Sequence, residues 1–283
     1  MLKTFAYPPP SDGKPFRLTL GLRELHAKEW FEAGSDVEEQ IRQRRELIES
    51  SREIVYQQLS GHREAITYFI DRILENLTTH HIEYNGSGRS LTHIPSNVTV
   101  DLSGENALIE LAKVLVEDIC LLHRSDGQWR LVAGVVVFPS RWDLREKIGK
   151  TIDEIHQPVP SYGEQLEPLL SDSFDRLSSD RPVWRRNWSL HTTSQLHEPR
   201  FSGERATPEN YWWRTERQTL TKSPDGKYLL FTIRNRAEPF SWIKQDVEAA
   251  KAFAETLRSL SDSMLDYKRI REDKAALINY LVN

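Results

Sequence analysis

Two pairs of β-rich segments, each joined by a short turn that contains Asp-Gly, constrain the fold of this chain more than any other feature. They are the segments 114–123 and 128–138, joined at Asp126-Gly127, and the segments 214–222 and 227–236, joined at Asp225-Gly226. Glycine supplies the positive φ that a tight hairpin turn requires, so each pair is predicted to form an antiparallel hairpin. The centre of the chain is therefore expected to be an antiparallel sheet.

Helical periodicity flanks these hairpins on both sides. Ser35, which acidic residues follow, is a favourable helix start, and apolar spacings of three and four predict helices over 35–59 and 63–77, separated by Gly61. A similar pattern predicts one long helix over 245–281, with a single break allowed. Helices at both ends with hairpins between them indicate an α+β architecture rather than a doubly wound parallel sheet.

Less regular sequence connects these elements. The alternation of Phe16, Leu18 and Leu20 with polar residues predicts a short half-buried strand. The polar segment 80–106 is predicted to be a loop with brief strand. We divide the chain into three parts that are expected to form one compact unit: an N-terminal extension with a helical pair (1–106), a core (107–243) and a C-terminal helix (244–283).

The composition argues against several classes of protein. Lys and Arg number 38 against 42 Asp and Glu, for a net charge of -4, whereas a nucleic-acid backbone requires clustered excess cations. The longest apolar run, 131–138, is far shorter than the roughly 20 residues that span a bilayer, and no leader-like segment is expected. Cys120 is the single cysteine, so a four-cysteine metal site cannot form. We expect a cytoplasmic globular protein without nucleic-acid or membrane partners.

The segment 138–160 is predicted to contain a helix with a rigid end. Ser140 and Asp143 resemble a capping box, which predicts a helix that starts near Arg141. Pro158 disfavours helical geometry at the residue before it and should end the helix there. Apolar residues at helical spacing mark the buried face of this helix.

His156 lies on that buried face, four residues after Ile152. An imidazole held at the inward side of a helix end suits an axial haem ligand. The alternative is a core histidine that is hydrogen-bonded to a main-chain carbonyl. The spacing alone favours this alternative, because no rule of spacing makes a lone histidine a ligand.

The remaining histidines and the cysteine give weaker indications. His80 and His81 are predicted to be solvated in a loop. His191 and His197 are predicted in another loop without a third ligand at a zinc-like interval. Cys120 lies in an apolar strand and is predicted to be a buried small hydrophobe rather than a thiolate ligand.

Arginine and tryptophan are concentrated in the segment 181–190. In a strand, Trp184, Arg186 and Trp188 would share one face. This face is either a surface strand with cation–π contacts or a wall that binds propionates or a small polar substrate.

The segment 212–220 alternates without a clean apolar face. Arg214 and Glu216 are predicted to point one way, and Trp213 and Arg217 the other. A charged strand of this kind indicates a solvated face or a lined cavity. The sequence contains no nucleophile elbow or metal-carboxylate motif, and no glycine loop for phosphate, so hydrolysis and nucleotide binding are poorly supported.

Several of these blocks together resemble the haem-dependent oxidative N-demethylase family, whose haem subunit has a PAS-like fold. The resemblance extends from about residue 16 to residue 260, with these matching segments: Gly21-Leu22 with Trp30, the helix around 44–47, IHQPVPSY at 155–162, RPVWRRNW at 181–188, ERQTL at 216–220 and LFTIR at 230–234. It implies haem b in a PAS-type pocket, with O2 as co-substrate. A small secondary amine would be demethylated, formaldehyde would be released, and a separate flavin and iron–sulfur reductase would supply electrons.

The resemblance also implies roles for particular residues. His156 becomes the preferred axial ligand, and Glu216 a distal carboxylate that pairs with an alkylammonium or relays protons. The arginines implied in propionate pairing, or in orienting that carboxylate, are Arg186, Arg214, Arg217 and Arg234. Tyr162 and Trp188 are expected to be pocket walls.

Two other functions remain open at this stage. The first is a non-catalytic haem sensor of gas or redox state, in which the C-terminal helix transmits a signal. The second is a haem-free scaffold that keeps the fold. The C-terminal helix could pack internally, form a homo-oligomer or bind the reductase.

Overall fold

The computed structural model describes residues 3–12, 14–16, 19–34 and 36–283. Its strands are β1 (Arg23–Glu24), β2 (Tyr56–Gln58), β3 (Tyr84–Ser87), β4 (Ser90–His93), β5 (Val98–Asp101), β6 (Glu117–Ser125), β7 (Gln128–Val135), β8 (Val183–His191), β9 (Trp212–Lys222) and β10 (Tyr228–Pro239). Its α-helices are α1 (Val37–Ser50), α2 (Arg52–Val55), α3 (Arg63–His80), α4 (Ala107–Leu111), α5 (Ile152–His156), α6 (Glu167–Arg176), α7 (Val247–Ser259), α8 (Asp262–Tyr267) and α9 (Lys274–Val282).

A seven-stranded antiparallel sheet forms the centre of the molecule, in the order β1-β8-β9-β10-β6-β7-β2. Both predicted hairpins are confirmed, since β6 pairs with β7 and β9 with β10. Their turn glycines, Gly127 and Gly226, have φ values of 76° and 74°. The combination of this sheet with helices confirms the α+β class.

The two faces of the sheet carry different residues, because directly opposite residues on antiparallel neighbours share a face. Asn187 lies opposite Glu216, and Arg186 lies opposite Arg217. We call these surfaces the Glu216 face and the Arg217 face. The Arg217 face is covered by α1, α3 and α7, whereas α5 and α6 pack on the apolar part of the Glu216 face.

The N-terminal helical pair differs from the prediction in its first member. The predicted helix over 35–59 ends at Ser50, where Ser51 leaves helical geometry with a φ of -141°. After the short α2, Tyr56–Gln58 pairs with β7 as the last strand of the sheet. The second predicted helix is confirmed as α3. The predicted start of the first helix, Ser35, lies outside the described residues.

The predicted long C-terminal helix is wrong, because the chain breaks twice and forms α7, α8 and α9. Ser261 accepts a hydrogen bond from the Met264 amide at 3.2 Å and starts α8. Arg269 adopts a left-handed φ of 60°, which interrupts the chain again before α9. As a result α9 packs against α7 instead of continuing it.

One irregular segment also contains more structure than predicted, and a second cannot be compared. Within 80–106, β3, β4 and β5 form a separate antiparallel sheet. The strand predicted around Phe16 includes Arg17 and Leu18, which lie outside the described residues. In the part of the chain that the structure describes, no helix is both long and apolar enough to cross a membrane.

Candidate functional site

The helix that carries His156 begins later than predicted. Arg141 has a left-handed φ of 60°, so a right-handed helix cannot start there. The capping box is instead formed by Thr151 and Glu154: Thr151 Oγ1 accepts from the Glu154 amide at 3.1 Å, and Glu154 Oε2 accepts from the Thr151 amide at 2.7 Å. The helix ends at His156, one residue before the predicted end at Gln157. Gln157 itself keeps right-handed helical angles, with φ of -46° and ψ of -35°, which Pro158 is expected to disfavour.

His156 is held by its own helix and by one aromatic neighbour. Its Nδ1 lies 2.8 Å from the carbonyl oxygen of Ile152, so Nδ1 carries the proton and donates it. Its ring stacks on Tyr162 with centroids 5.5 Å apart, and the Tyr162 hydroxyl donates to Asp153 Oδ1 at 2.6 Å. The bond to Ile152 is the main-chain hydrogen bond expected for the core-histidine alternative. It also fixes the tautomer and the plane of the imidazole, as metal binding would require.

The protonation state of His156 follows from its surroundings. Burial lowers the pKa of His156, and the positive charges of Arg185 and Lys147 act in the same direction. The ring is therefore neutral at neutral pH. Because Nδ1 carries the proton, Nε2 has a free lone pair, which is the form that binds a metal.

Glu216 is half-buried at the centre of the Glu216 face. Its hydrogen bonds among the described residues come from neutral amides: Gln218 Nε2 donates to Glu216 Oε2 at 2.8 Å, and Asn187 Nδ2 lies 3.5 Å from the same oxygen. The carboxylate is thus positioned without being neutralised by a hydrogen-bonded cation.

Lys268 packs against the edge of β8 near this carboxylate. Its Nζ donates to the Trp188 carbonyl at 2.8 Å and lies 3.8 Å from the centre of the Trp188 ring. Burial lowers the pKa of Lys268 to about 7, while the negative charge of Glu216 opposes the shift. The amine can therefore gain or lose a proton near neutral pH.

Two arginines lie on the Glu216 face with unpartnered donors. Arg214 is fully buried; its Nη2 donates to the Phe138 carbonyl at 2.8 Å and to Asn235 Oδ1 at 3.1 Å, but its Nε and Nη1 have no partner among the described residues. Burial lowers the pKa of Arg214 to about 10. The Nε of Arg185 is also buried without a partner among those residues.

A buried polar chain continues from Arg214 along β8. Ser189, which lies opposite Arg214, donates to His191 Nε2 at 2.8 Å, and His191 Nδ1 donates to Glu198. Burial lowers the pKa of His191 to about 4, although the hydrogen bond with Glu198 opposes the shift. The prediction of His191 in a loop is wrong, because this residue ends β8.

Apolar side chains form another part of the Glu216 face. Cys120, Leu220 and Phe231 lie side by side on neighbouring strands and pack in one cluster with residues of α5 and α6. Burial raises the pKa of the Cys120 thiol, so it remains protonated and inert. The prediction of a buried small hydrophobe is confirmed.

Several of the arginines and aromatic residues singled out in the sequence lie on the opposite, Arg217 face. Arg217 Nη1 donates to the Trp30 carbonyl at 3.2 Å, and Arg234 Nη2 pairs with Asp36 at 2.8 Å, so both hold the N-terminal segment. Trp188 stacks on Trp213 with centroids 5.1 Å apart. Arg186 is exposed on the same side of β8.

A small cavity on the Arg217 face is a separate feature. It is lined by aromatic rings, histidines and carboxylates that include Phe31, Tyr84, His93 and Glu117. Glu117 lies opposite Arg234 on the neighbouring strand, which places the cavity on the other side of the sheet from His156. Among the described residues, no three His, Cys, Asp or Glu side chains are grouped as metal ligands. A single axial ligand does not require such a group.

The sequence motifs assign no role to two residues of the site, Arg185 and Lys268, although Arg185 lies within the segment RPVWRRNW. Each has a detectable signal. Strand alternation places Arg185 on the face opposite Trp184 and Arg186, and the hairpin register then aligns it with Glu216. Lys268 lies four residues after the buried Met264, so it continues an apolar helical stripe where a lysine is unexpected.

A comparison with known protein families gives a match over nearly the whole chain. The sequence matches the family model described as haem-dependent oxidative N-demethylase, alpha subunit-like, over residues 21–278, which is nearly the whole chain. This match agrees with the resemblance that the motifs indicate.

Proposed function

Because the chain belongs to the haem-dependent oxidative N-demethylase, alpha subunit-like family, we propose that it is the haem-binding subunit of a monooxygenase. In this proposal the antiparallel sheet is PAS-like, the cofactor is haem b, and the substrate is a small secondary amine. The observation that carries the proposal is the neutral His156, whose Nε2 keeps its lone pair, on a helix that packs against the Glu216 face.

The residues present fit a haem group. His156 would hold the iron through Nε2, and its Nδ1 hydrogen bond to Ile152 would keep the ring oriented, as outer-sphere partners of metal-bound histidines do. Leu220 and Phe231 give the Glu216 face an apolar part, which α5 and α6 cover in this structure. The unpartnered donors of Arg185 and Arg214 require acceptors that the described residues do not supply.

When bound, haem iron supplies one-electron chemistry and O2 activation, which no side chain of this protein can supply. The overall reaction converts a methylamine, O2, two electrons and two protons into the demethylated amine, formaldehyde and water. Cys120 is the only cysteine of the chain, so an iron–sulfur donor with four cysteine ligands must reside in a partner. We therefore include a flavin and iron–sulfur reductase as the electron donor.

Glu216 would bind the amine. A protonated alkylammonium would donate to its carboxylate, which Gln218 and Asn187 hold in place. Lys268, whose pKa is about 7, could pass protons to the same region near neutral pH.

Absorption spectra of the purified protein test this proposal. Wild-type protein should show a haem Soret band at about 400 nm, and His156→Ala should lose haem or change its axial-ligand spectrum. His197→Ala is a matched control, because His197 Nδ1 also bonds a main-chain carbonyl, that of Val137, at 2.8 Å. An unchanged axial-ligand spectrum in His156→Ala would refute the assignment.

Two further readouts separate the alternatives. A protein that binds no haem would be a scaffold. A protein that binds haem and O2 but shows no amine-dependent NADH oxidation and no formaldehyde with a compatible reductase would be a sensor. The enzyme assignment requires both NADH oxidation and formaldehyde release.

A further inference from the structure

We infer that Arg185 is the centre of a carboxylate-binding site on the Glu216 face, one row of residues away from Glu216. The inference deepens the proposed function, because the carboxylate would belong either to the haem or to the amine substrate. Nothing in the family match assigns a role to this residue.

The position of Arg185 follows from the strand register. It lies on β8 opposite Gln218, while Asn187 and Glu216 form the next row and Ser189 and Arg214 the one after. Successive rows on one face are separated by about 7 Å. The Glu216 face therefore presents a cation, an anion and a second cation in line along the strands.

Arg185 lacks an anionic partner within the described part of the chain. Its Nε is buried without an acceptor, and its pKa is lowered by burial, with only partial compensation from Glu216. A half-buried guanidinium without an ion-pair partner is costly, because its buried Nε donor is unsatisfied and its charge is only partly solvated. An anion that enters the site would satisfy both.

The charge balance favours a single carboxylate as that anion. The charge of Glu216 acts on Arg185, Arg214 and Lys268. Two other carboxylates act on Arg214, but Glu198 is already paired with Arg141 and Asp118 with Arg44, so the site has an excess of cationic groups. A planar carboxylate matches the guanidinium fork with two parallel hydrogen bonds. Two sources have this chemistry: a haem propionate, and the carboxylate of an N-methyl amino acid whose ammonium group pairs with Glu216.

The first source can be tested without any mutation, by comparing the affinity of the wild-type protein for protohaem with its affinity for protohaem dimethyl ester. Protohaem should bind about tenfold to a hundredfold more tightly than its dimethyl ester, the range expected for hydrogen bonds to a charged group. In Arg185→Gln the affinity for protohaem should fall by that factor, while the affinity for the dimethyl ester should not change. Arg185→Lys should recover part of the loss, and circular dichroism checks that each variant is folded.

Titration with two amines tests the second source. N-methylglycine and dimethylamine both carry an ammonium group, but only the first carries a carboxylate. If the site binds substrate, Arg185→Gln should weaken N-methylglycine about tenfold or more and leave dimethylamine unchanged. Arg181→Gln, an exposed arginine just before β8, is the control for both titrations.

The outcomes decide the inference. A loss specific to Arg185→Gln with either carboxylate probe supports the site and identifies its source. The inference is overturned if this variant binds protohaem and N-methylglycine as the wild type does. It is also overturned if the wild-type protein binds protohaem no more tightly than its dimethyl ester, and N-methylglycine no more tightly than dimethylamine. If the protein binds no haem, the proposed function fails, and the amine titration on that protein still decides the carboxylate site.

Discussion

Replacement of Glu216 by glutamine isolates the negative charge that is proposed to bind the amine. Glutamine keeps the shape of the side chain, and the amides of Gln218 and Asn187 can still hydrogen-bond to it. A hydrogen bond to a charged group contributes about 1.5–3 kcal/mol, and about 1.4 kcal/mol corresponds to a factor of ten. The dissociation constant for an alkylammonium should therefore rise by about ten- to a hundredfold.

Isothermal titration of dimethylamine into haem-loaded protein measures this change, with Glu204→Gln as an exposed control. The pH dependence gives an independent check. The charge of Glu216 raises the pKa of Lys268, so its removal should move that pKa below about 7. A pH midpoint that belongs to Lys268 should then shift to lower pH. Unchanged dimethylamine affinity in Glu216→Gln would refute the reasoning.

Three further predictions concern the framework of the site. Arg44 and Asp118 form a fully buried ion pair of 2.7 Å, so Arg44→Met should lower the free energy of unfolding by about 3–5 kcal/mol. Urea denaturation measures this change. A loss below about 1 kcal/mol would show that the pair is not desolvated. Tyr162→Phe removes the hydrogen bond from the Tyr162 hydroxyl to Asp153 and leaves the ring that stacks on His156 less firmly held. Haem affinity should therefore fall a few-fold, while the free energy of unfolding changes by only about 1 kcal/mol. Unchanged haem affinity would contradict the role of Tyr162 in orienting His156. Burial holds the pKa of His191 near 4, below its ordinary value of about 6.5. As the pH falls, the unfolded chain binds this proton first, so the free energy of unfolding should decline between about pH 6.5 and pH 4. His191→Gln should flatten this part of the stability curve, and identical curves for the variant and the wild type would contradict the lowered pKa of His191.

Much of the central sheet could be predicted because its signals are local. Asp-Gly turns specify hairpins, and both turn glycines adopt the positive φ that this turn chemistry requires. The strand Tyr56–Gln58 could not be predicted from its helix-like apolar spacing. Its conformation depends on the free edge of β7, which lies far away in the sequence.

The site could be predicted only in part. Alternation along β9 places Arg214 and Glu216 on one face and Arg217 on the other, as the structure shows. The sequence does not reveal that Arg217 and Arg234 hold the N-terminal segment, because those contacts arise from tertiary packing. The contact of Lys268 with the Trp188 carbonyl depends in the same way on the turn after α8.

The alternation along β9 also constrains how this protein can vary. Odd-numbered positions such as Trp213 and Arg217 hold the terminal segments of the chain, whereas even-numbered positions such as Glu216 face the site. Inserting one residue into this strand would exchange the two sets, and an insertion of two would restore them. Tolerance to substitution should therefore follow a period of two along β9, with folding lost at one set of positions and ligand binding at the other.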